Sequence, residues 1–234
     1  MKNDNRPIGV FDSGLGGLTV LRSLKETFQN ESFIYFGDTA RLPYGTKSQE
    51  TIIRYSKEIC DFLNKNDVKL IIVACNTASA LAVKFLKSYL NLPIINVIDP
   101  CVEFASKVTK NNYIGVIGTQ ATINSKAYNK KLDRINSSFK IISQECSLFV
   151  PLIEEGFIKH QITKDVCHFY LNKKIFQKID VLIMGCTHYP ILIDYIKQYF
   201  SDNTIIVDSA KTVAFHVEQL FDNNSVLRAS QKTQ

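Results

Sequence analysis

Short runs of β-branched and aliphatic residues alternate along this chain with longer stretches of helical period, and that alternation leaves few folds open. Residues 7–13 (PIGVFDS), 32–38 (SFIYFGD), 68–74 (VKLIIVA) and 92–98 (LPIINVI) read as strands. Between them, 16–28 puts Leu18, Leu21, Leu24 and Phe28 on one helical face. The segment 48–65 opens on Ser48, a good N-cap, and carries Ile52, Tyr55, Ile59 and Phe62 on one stripe; 78–90 reads as a further helix. The run 68–74 is apolar at nearly every position, as a strand covered on both faces of a parallel sheet must be. The pattern predicts an α/β fold with mostly parallel sheets.

The pattern then starts again. PIGVFDS begins at residue 7 and YIGVIGT at residue 113, an offset of 106; DVKLIIVACNT is echoed by DVLIMGCTHYP, with Cys75 and Cys186 offset by 111. Two echoes in one order at nearly one offset predict a duplicated half, so two pseudo-symmetric α/β lobes. The stretch 98–105 reads as the crossing between them. A last strand (203–209) and helix (210–221) close the fold and are expected to pair back with the first lobe, ahead of a polar tail at 222–234. The lobes are then 1–98 with 207–234, and 99–206.

Composition excludes several classes. No apolar run reaches the ~18–20 residues of a membrane helix. The opening MKNDNRPIG has no apolar core and no cleavage site of a signal peptide, so the expected location is the cytoplasm and no membrane is involved. The 28 Lys and Arg exceed the 22 Asp and Glu, a net charge of +6, but they are dispersed and form no nucleic-acid motif. Nucleic acid is therefore not expected as the main partner, and an acidic small molecule suits that field better than a basic one. None of the six cysteines forms a C-x-x-C pair or a zinc pattern, so no metal is expected.

Ligands of parallel sheets bind where strands end and helices begin. Four strand ends here carry polar or reactive groups: Asp12-Ser13, Asp38, Cys75-Asn76-Thr77 and Cys186-Thr187-His188. Cysteine most often fills a core, and Cys60, Cys101, Cys146 and Cys167 keep that reading. Cys75 and Cys186 are different, because hydroxyl and amide residues follow them. A thiol at a helix start lies near free N–H groups and the positive end of the dipole, which predicts a lowered pKa and thiolate character. His188 and Asp12 are placed to relay protons to one thiol each. The turn DSGLGGLTVL (12–21) lacks the dinucleotide fingerprint, since Thr19 stands where a third Gly or Ala belongs, although Asp38 sits where the ribose-binding acid would; it has no Walker lysine. Its backbone N–H groups are expected to hold a carboxylate. A phosphate-binding module built on this turn and a thiol redox or metal protein remain the rival classes.

The segments FDSGLGGLTVL, GDTARLPYGTKS, VACNTASA, GVIGTQATINSKAY, FVPLIEEG and GCTHYP, in this order across the chain, resemble the motifs of bacterial glutamate racemases. The resemblance implies racemisation of L- and D-glutamate without a cofactor, feeding D-glutamate into peptidoglycan synthesis, in a cleft between the lobes. It implies an acid/base pair, Cys75 acting on D-glutamate and Cys186 on L-glutamate, with Asp12, His188 and Glu154 as helpers. Substrate contacts map to Asp12, Ser13, Tyr44, Gly45, Asn76, Thr77, Thr187 and His188. A homodimer is left open. Two positions depart from the usual pattern: Ser147 stands where many relatives carry proline, and Ala210 where glycine is common.

Overall fold

The structure is a computed structural model and describes residues 4–223; the polar tail beyond 223 lies outside the described residues. The first lobe runs β1 (Ile8–Asp12), α1 (Leu18–Thr27), β2 (Phe33–Gly37), α2 (Gln49–Lys65), β3 (Leu70–Val73), α3 (Asn76–Leu81), α4 (Val83–Tyr89) and β4 (Ile94–Asn96). α5 (Ile98–Val108) leads into β5 (Tyr113–Gly118), α6 (Gln120–Asn124), α7 (Ala127–Ile135), β6 (Lys140–Glu145), α8 (Phe149–Glu154), α9 (Gln161–Leu171), β7 (Val181–Gly185), α10 (Ile193–Ile196), β8 (Ile205–Asp208) and α11 (Ser209–Asn223).

The eight strands make two four-stranded parallel sheets, ordered β2-β1-β3-β4 and β6-β5-β7-β8. One strand order therefore occurs twice. The register repeats as well: Phe11 pairs with Val73 and Ile117 with Met184, positions that the offsets of 106 and 111 carry onto each other. The predicted two-lobed α/β architecture is what the chain adopts. In each sheet the strand order reverses between its first and third strands, and the crevice outside their carboxyl ends is where such sheets bind ligands.

Each sheet is covered on both faces. In the first lobe α1 and α11 pack one face and α2, α3 and α4 the other. In the second, α5 and α7 cover one face, and α8, α9 and the segment after β7 the other. No helix among the described residues is long and apolar enough to cross a membrane.

The helical stripes are rotated from those read off the sequence. Ser48 caps α2, its Oγ accepting the Thr51 N–H, but the buried face is Ile52, Ile59, Cys60 and Leu63, while Phe62 is exposed. In α1, Val20 and Leu24 are buried and Leu18 faces solvent. Period alone does not say which of two adjacent apolar residues meets a neighbour. The helix expected over 78–90 is two, α3 and α4, broken at Ala82.

The closing elements divide between the lobes. β8 pairs with β7, contrary to the expectation that it would return to the first sheet, because the duplicated strand order needs a fourth strand at that edge. Only α11 returns, packing Val213, Ala214, Val217 and Phe221 against β1 and α1. We therefore propose 4–98 with 209–223, and 99–208, as the lobes, the boundary moving two residues on from the expected 207 so that β8 stays whole in its sheet and the chain crosses back at Ser209.

Candidate active site

Both strand reversals open onto one cavity of about 60 Å³ between the lobes. A single water needs ~10–15 Å³ on this measure, so the space suits a small amino acid and is cramped for a nucleotide. Cys75 and Cys186 both line it, each from the end of the third strand of its sheet. Of the residues expected at the site, Ser13, Tyr44, Gly45, Asn76, Thr77, Thr187 and His188 also line it.

The glycine turn has a different use from the one expected. Gly14 N–H (3.1 Å) and Gly17 N–H (3.0 Å) donate to Asp12 Oδ2, so the carboxylate this turn holds is the chain's own. Asp12 Oδ1 accepts from the Thr187 hydroxyl of the other lobe at 3.4 Å. Asp12 is fully buried and does not line the cavity; its oxygens are turned to the turn and to Thr187. Gly16 is required by close approach, since a methyl there would lie 2.5 Å from His188 Nδ1. Asp38, the ribose-binding candidate, is instead bound by Arg41 at 2.8 Å and by the Tyr44 hydroxyl, which pins the loop leading to Tyr44 and Gly45 over the cavity.

The thiols are not poised as thiolates. Cys75 caps α3, its Sγ accepting the Ala78 N–H at 3.5 Å, the helix-start position expected. Yet its pKa is pushed up to about 12, first by burial and then by Asp12; hydrogen bonds from Ala78 and Ser13 only partly oppose this. Cys186 is likewise raised, by burial and then by Cys75 and Asp12 against backbone N–H groups of His188 and Tyr189. The expected lowering is overturned because loss of water disfavours a charged sulfur more than one turn of helix favours it. Burial also raises Asp12, against the opposing His188 and the turn's N–H groups.

His188 stands beside Cys186, its Nδ1 3.9 Å from Sγ, and its Nε2 meets Glu154 Oε1 at 2.5 Å. Glu154 thus meets His188 and does not itself line the cavity. The side chain of Asn76, expected to face the substrate, is engaged between lobes: Tyr128 O–H donates to Oδ1 at 2.6 Å and Nδ2 donates to Ser209 Oγ at 3.3 Å. Thr77 shares hydroxyl contacts with Thr119 (2.9 Å) and Thr122 (3.2 Å) across the cleft.

Several lining residues were not picked out from the sequence. Thr119 is the partner of Ser13 under the 106-residue offset, so the echo of YIGVIGT on PIGVFDS already contained it. Ser147, noted only as a departure, lines the cavity and donates to Glu145 Oε1 at 2.6 Å. Val150 and Pro151 of α8 form an apolar wall that no local pattern announces. All six cysteines are free thiols. Among the described residues no three His, Cys, Asp or Glu are grouped to hold a metal ion.

Two parallel α/β halves of one strand order, closing on a shared amino-acid-sized cavity, define the class of the pseudo-symmetric amino-acid racemases, which are isomerases. The model of the Asp/Glu/Hydantoin racemase family matches residues 8–219, and the chain belongs to this family, among its glutamate racemases. It is 49% identical over 212 residues to a glutamate racemase of Persephonella marina, covering 91% of this chain and 81% of that one. The glutamate racemase of Francisella tularensis, solved in complex with D-glutamate, superposes with a TM-score of 0.89 at 40% identity, over 97% of this chain and 85% of that one. A Bacillus anthracis glutamate racemase isoform gives 0.92 at 36% identity, over 96% and 85%.

Proposed function

We propose that the chain interconverts L- and D-glutamate without a cofactor, by proton abstraction at one thiol and proton delivery from the other. The observation that carries this reading is that each lobe delivers one strand-end cysteine to the same small cavity. Inverting a carbon centre needs a base on one face and an acid on the other, and two like groups on facing lobes supply both.

In the D-to-L direction Cys75, as thiolate, takes the α-proton. Cys186, as thiol, donates its proton to the opposite face of the carbanion. The two sulfurs end in exchanged protonation states, and the reverse direction resets them. Burial keeps both thiols protonated in the empty site, and an arriving substrate ammonium favours a thiolate. Asp12 is a stronger base than an ordinary carboxylate because burial raises it; reached through Ser13 or Thr187, it is our candidate acceptor for the Cys75 proton. Nε2–H of His188 held on Glu154 leaves Nδ1 as acceptor toward Cys186. The hydroxyls of Ser13, Thr77, Thr119 and Thr187 and the N–H groups at the starts of α3 and the 45–47 loop suit two substrate carboxylates. Donors that bind more tightly as carbanion charge spreads onto the α-carboxylate, with water excluded, supply most of the rate enhancement.

A reaction run by two reduced thiols belongs in a reducing compartment, so we place it in the cytoplasm, where D-glutamate is consumed in peptidoglycan synthesis. The test is circular dichroism of D-glutamate in D₂O with purified protein and no added cofactor, alongside Cys75→Ser and Cys186→Ser. Decay of the signal to zero with deuterium at Cα, abolished in each variant, is expected. An aspartate-only activity would sink the substrate, and no α-exchange on any acid would sink the reaction.

A further inference from the structure

Tyr128 sits at the start of α7, 1% exposed, and it does not line the cavity. It nevertheless touches the residue next to each thiol. Its O–H donates to Asn76, the residue after Cys75, at 2.6 Å. Its ring lies against Gly185, the residue before Cys186: a methyl on Gly185 would stand 3.2 Å from Tyr128 Cε2. The same methyl would also meet the Ile117 carbonyl oxygen at 2.8 Å, so glycine at 185 serves both the strand contact and the close approach of the ring.

The other arm of Asn76 is equally placed. Its Nδ2 donates to Ser209 Oγ (3.3 Å), at the point where the chain crosses back to the first lobe, and that hydroxyl donates to the Met184 carbonyl in β7 (3.4 Å). Asn76 is therefore held from two sides by side chains that themselves rest on β7, Tyr128 on Gly185 and Ser209 on the Met184 carbonyl. A carbonyl facing a phenol and an amide NH₂ facing a hydroxyl oxygen also fix which way the side chain is turned.

We propose that Tyr128 and Ser209 are positioning residues: acting through Asn76 and Gly185, they clamp the two thiol-bearing strand ends and set the spacing at which one proton leaves and the other arrives. The inference rests on the two-thiol reading above for its kinetic consequence, not for its geometry. A rigid ring spanning both strand ends transmits a small displacement to both thiols at once, and displacements near 1 Å cost about a hundredfold in well-aligned reactions. The phenol stays a donor, because burial holds its proton well above the usual range.

Tyr128→Phe keeps the ring on Gly185 and removes the hydroxyl's grip on Asn76, together with its contacts to Ser209 and Cys101. We expect kcat in both directions to fall about tenfold, KM for glutamate to change less than about threefold, and the melting temperature to move little. Loosening the clamp also exposes the thiols, so alkylation of Cys75 and Cys186 by iodoacetamide, mapped by peptide mass, should quicken severalfold without any turnover. Unchanged kcat with unchanged alkylation overturns the proposal, as does a rise in KM at constant kcat. If Tyr128→Phe does not fold, Ser209→Ala cuts the second arm and carries the same readouts. If the wild type fails to racemise glutamate, the proposed function falls, and the alkylation rates alone decide the clamp.

Discussion

The two thiols stand on the same scaffold and in different company. Each follows the third strand of a sheet of one order and register. Cys75 has Asp12 at the end of the neighbouring strand, where the second lobe has Gly118. Cys186 has His188 backed by Glu154, where the first lobe has Thr77. The two halves thus repeat the facing thiols and differ at the strand ends around them. On the proposed mechanism a carboxylate serves one side and an imidazole–carboxylate pair the other.

Removing Asp12 tests the comparison hardest. Asp12→Asn should lower kcat/KM by about 10²–10³-fold, within the range of lost acid–base assistance. The enantiomers are equal in free energy, so kcat/KM falls equally in both directions. The asymmetry lies in the α-deuterium isotope effect. If Cys75 serves D-glutamate, the effect grows for labelled D-glutamate and shrinks for labelled L-glutamate, read by initial rates of circular dichroism. The same variant should melt higher at pH 7, since Asp12 is raised by burial and its ionised form destabilises the fold above the unfolded pKa; the gain should vanish as pH falls below about 4.

His188→Gln should lower kcat/KM by about ten- to a hundredfold, with the isotope asymmetry reversed, and Glu154→Gln should lower it less. An identical isotope pattern for Asp12 and His188 variants would break the division of labour. A third variant probes the seam between the halves. Gly16→Ala forces a methyl to 2.5 Å from His188 Nδ1 and 2.6 Å from Thr187 Oγ1, and should cost about 1–3 kcal/mol in urea unfolding as well as activity.

The smallest effect concerns the thiols at rest. Burial pushes the Cys75 thiol up to about 12 in the fold, against ~8.5 for an unfolded thiol. Between these values the unfolded state binds fewer protons, so stability falls as pH rises. Cys75→Ala should lose less stability than the wild type between pH 7 and 10.5, measured by the urea midpoint. An equal loss in both proteins would mean that Cys75 titrates normally.

Much of the site was legible because it is local. An apolar strand that stops at Cys-Asn-Thr or Cys-Thr-His announces a strand end, and its polar continuation separates it from cores such as those around Cys60 or Cys167, which are indeed buried within them. The interlobe contacts were not legible. Asn76 meets Tyr128 and Ser209 at sequence separations of 52 and 133, and Thr187 meets Asp12 at 175. No pattern within one segment encodes such a meeting.

The sequence by itself determined the alternation of strands and helices, the duplicated half and the placing of a cysteine at each third strand's end, because period and turn chemistry act over a few residues. Only the tertiary structure decided that β8 stays with the second sheet while α11 returns to the first, that the glycine turn holds the Asp12 carboxylate, and that burial raises the pKa of both thiols where a helix start alone would lower it. Those outcomes depend on which surfaces meet and how much water they exclude, and burial is a property of the assembled fold, not of any stretch of chain.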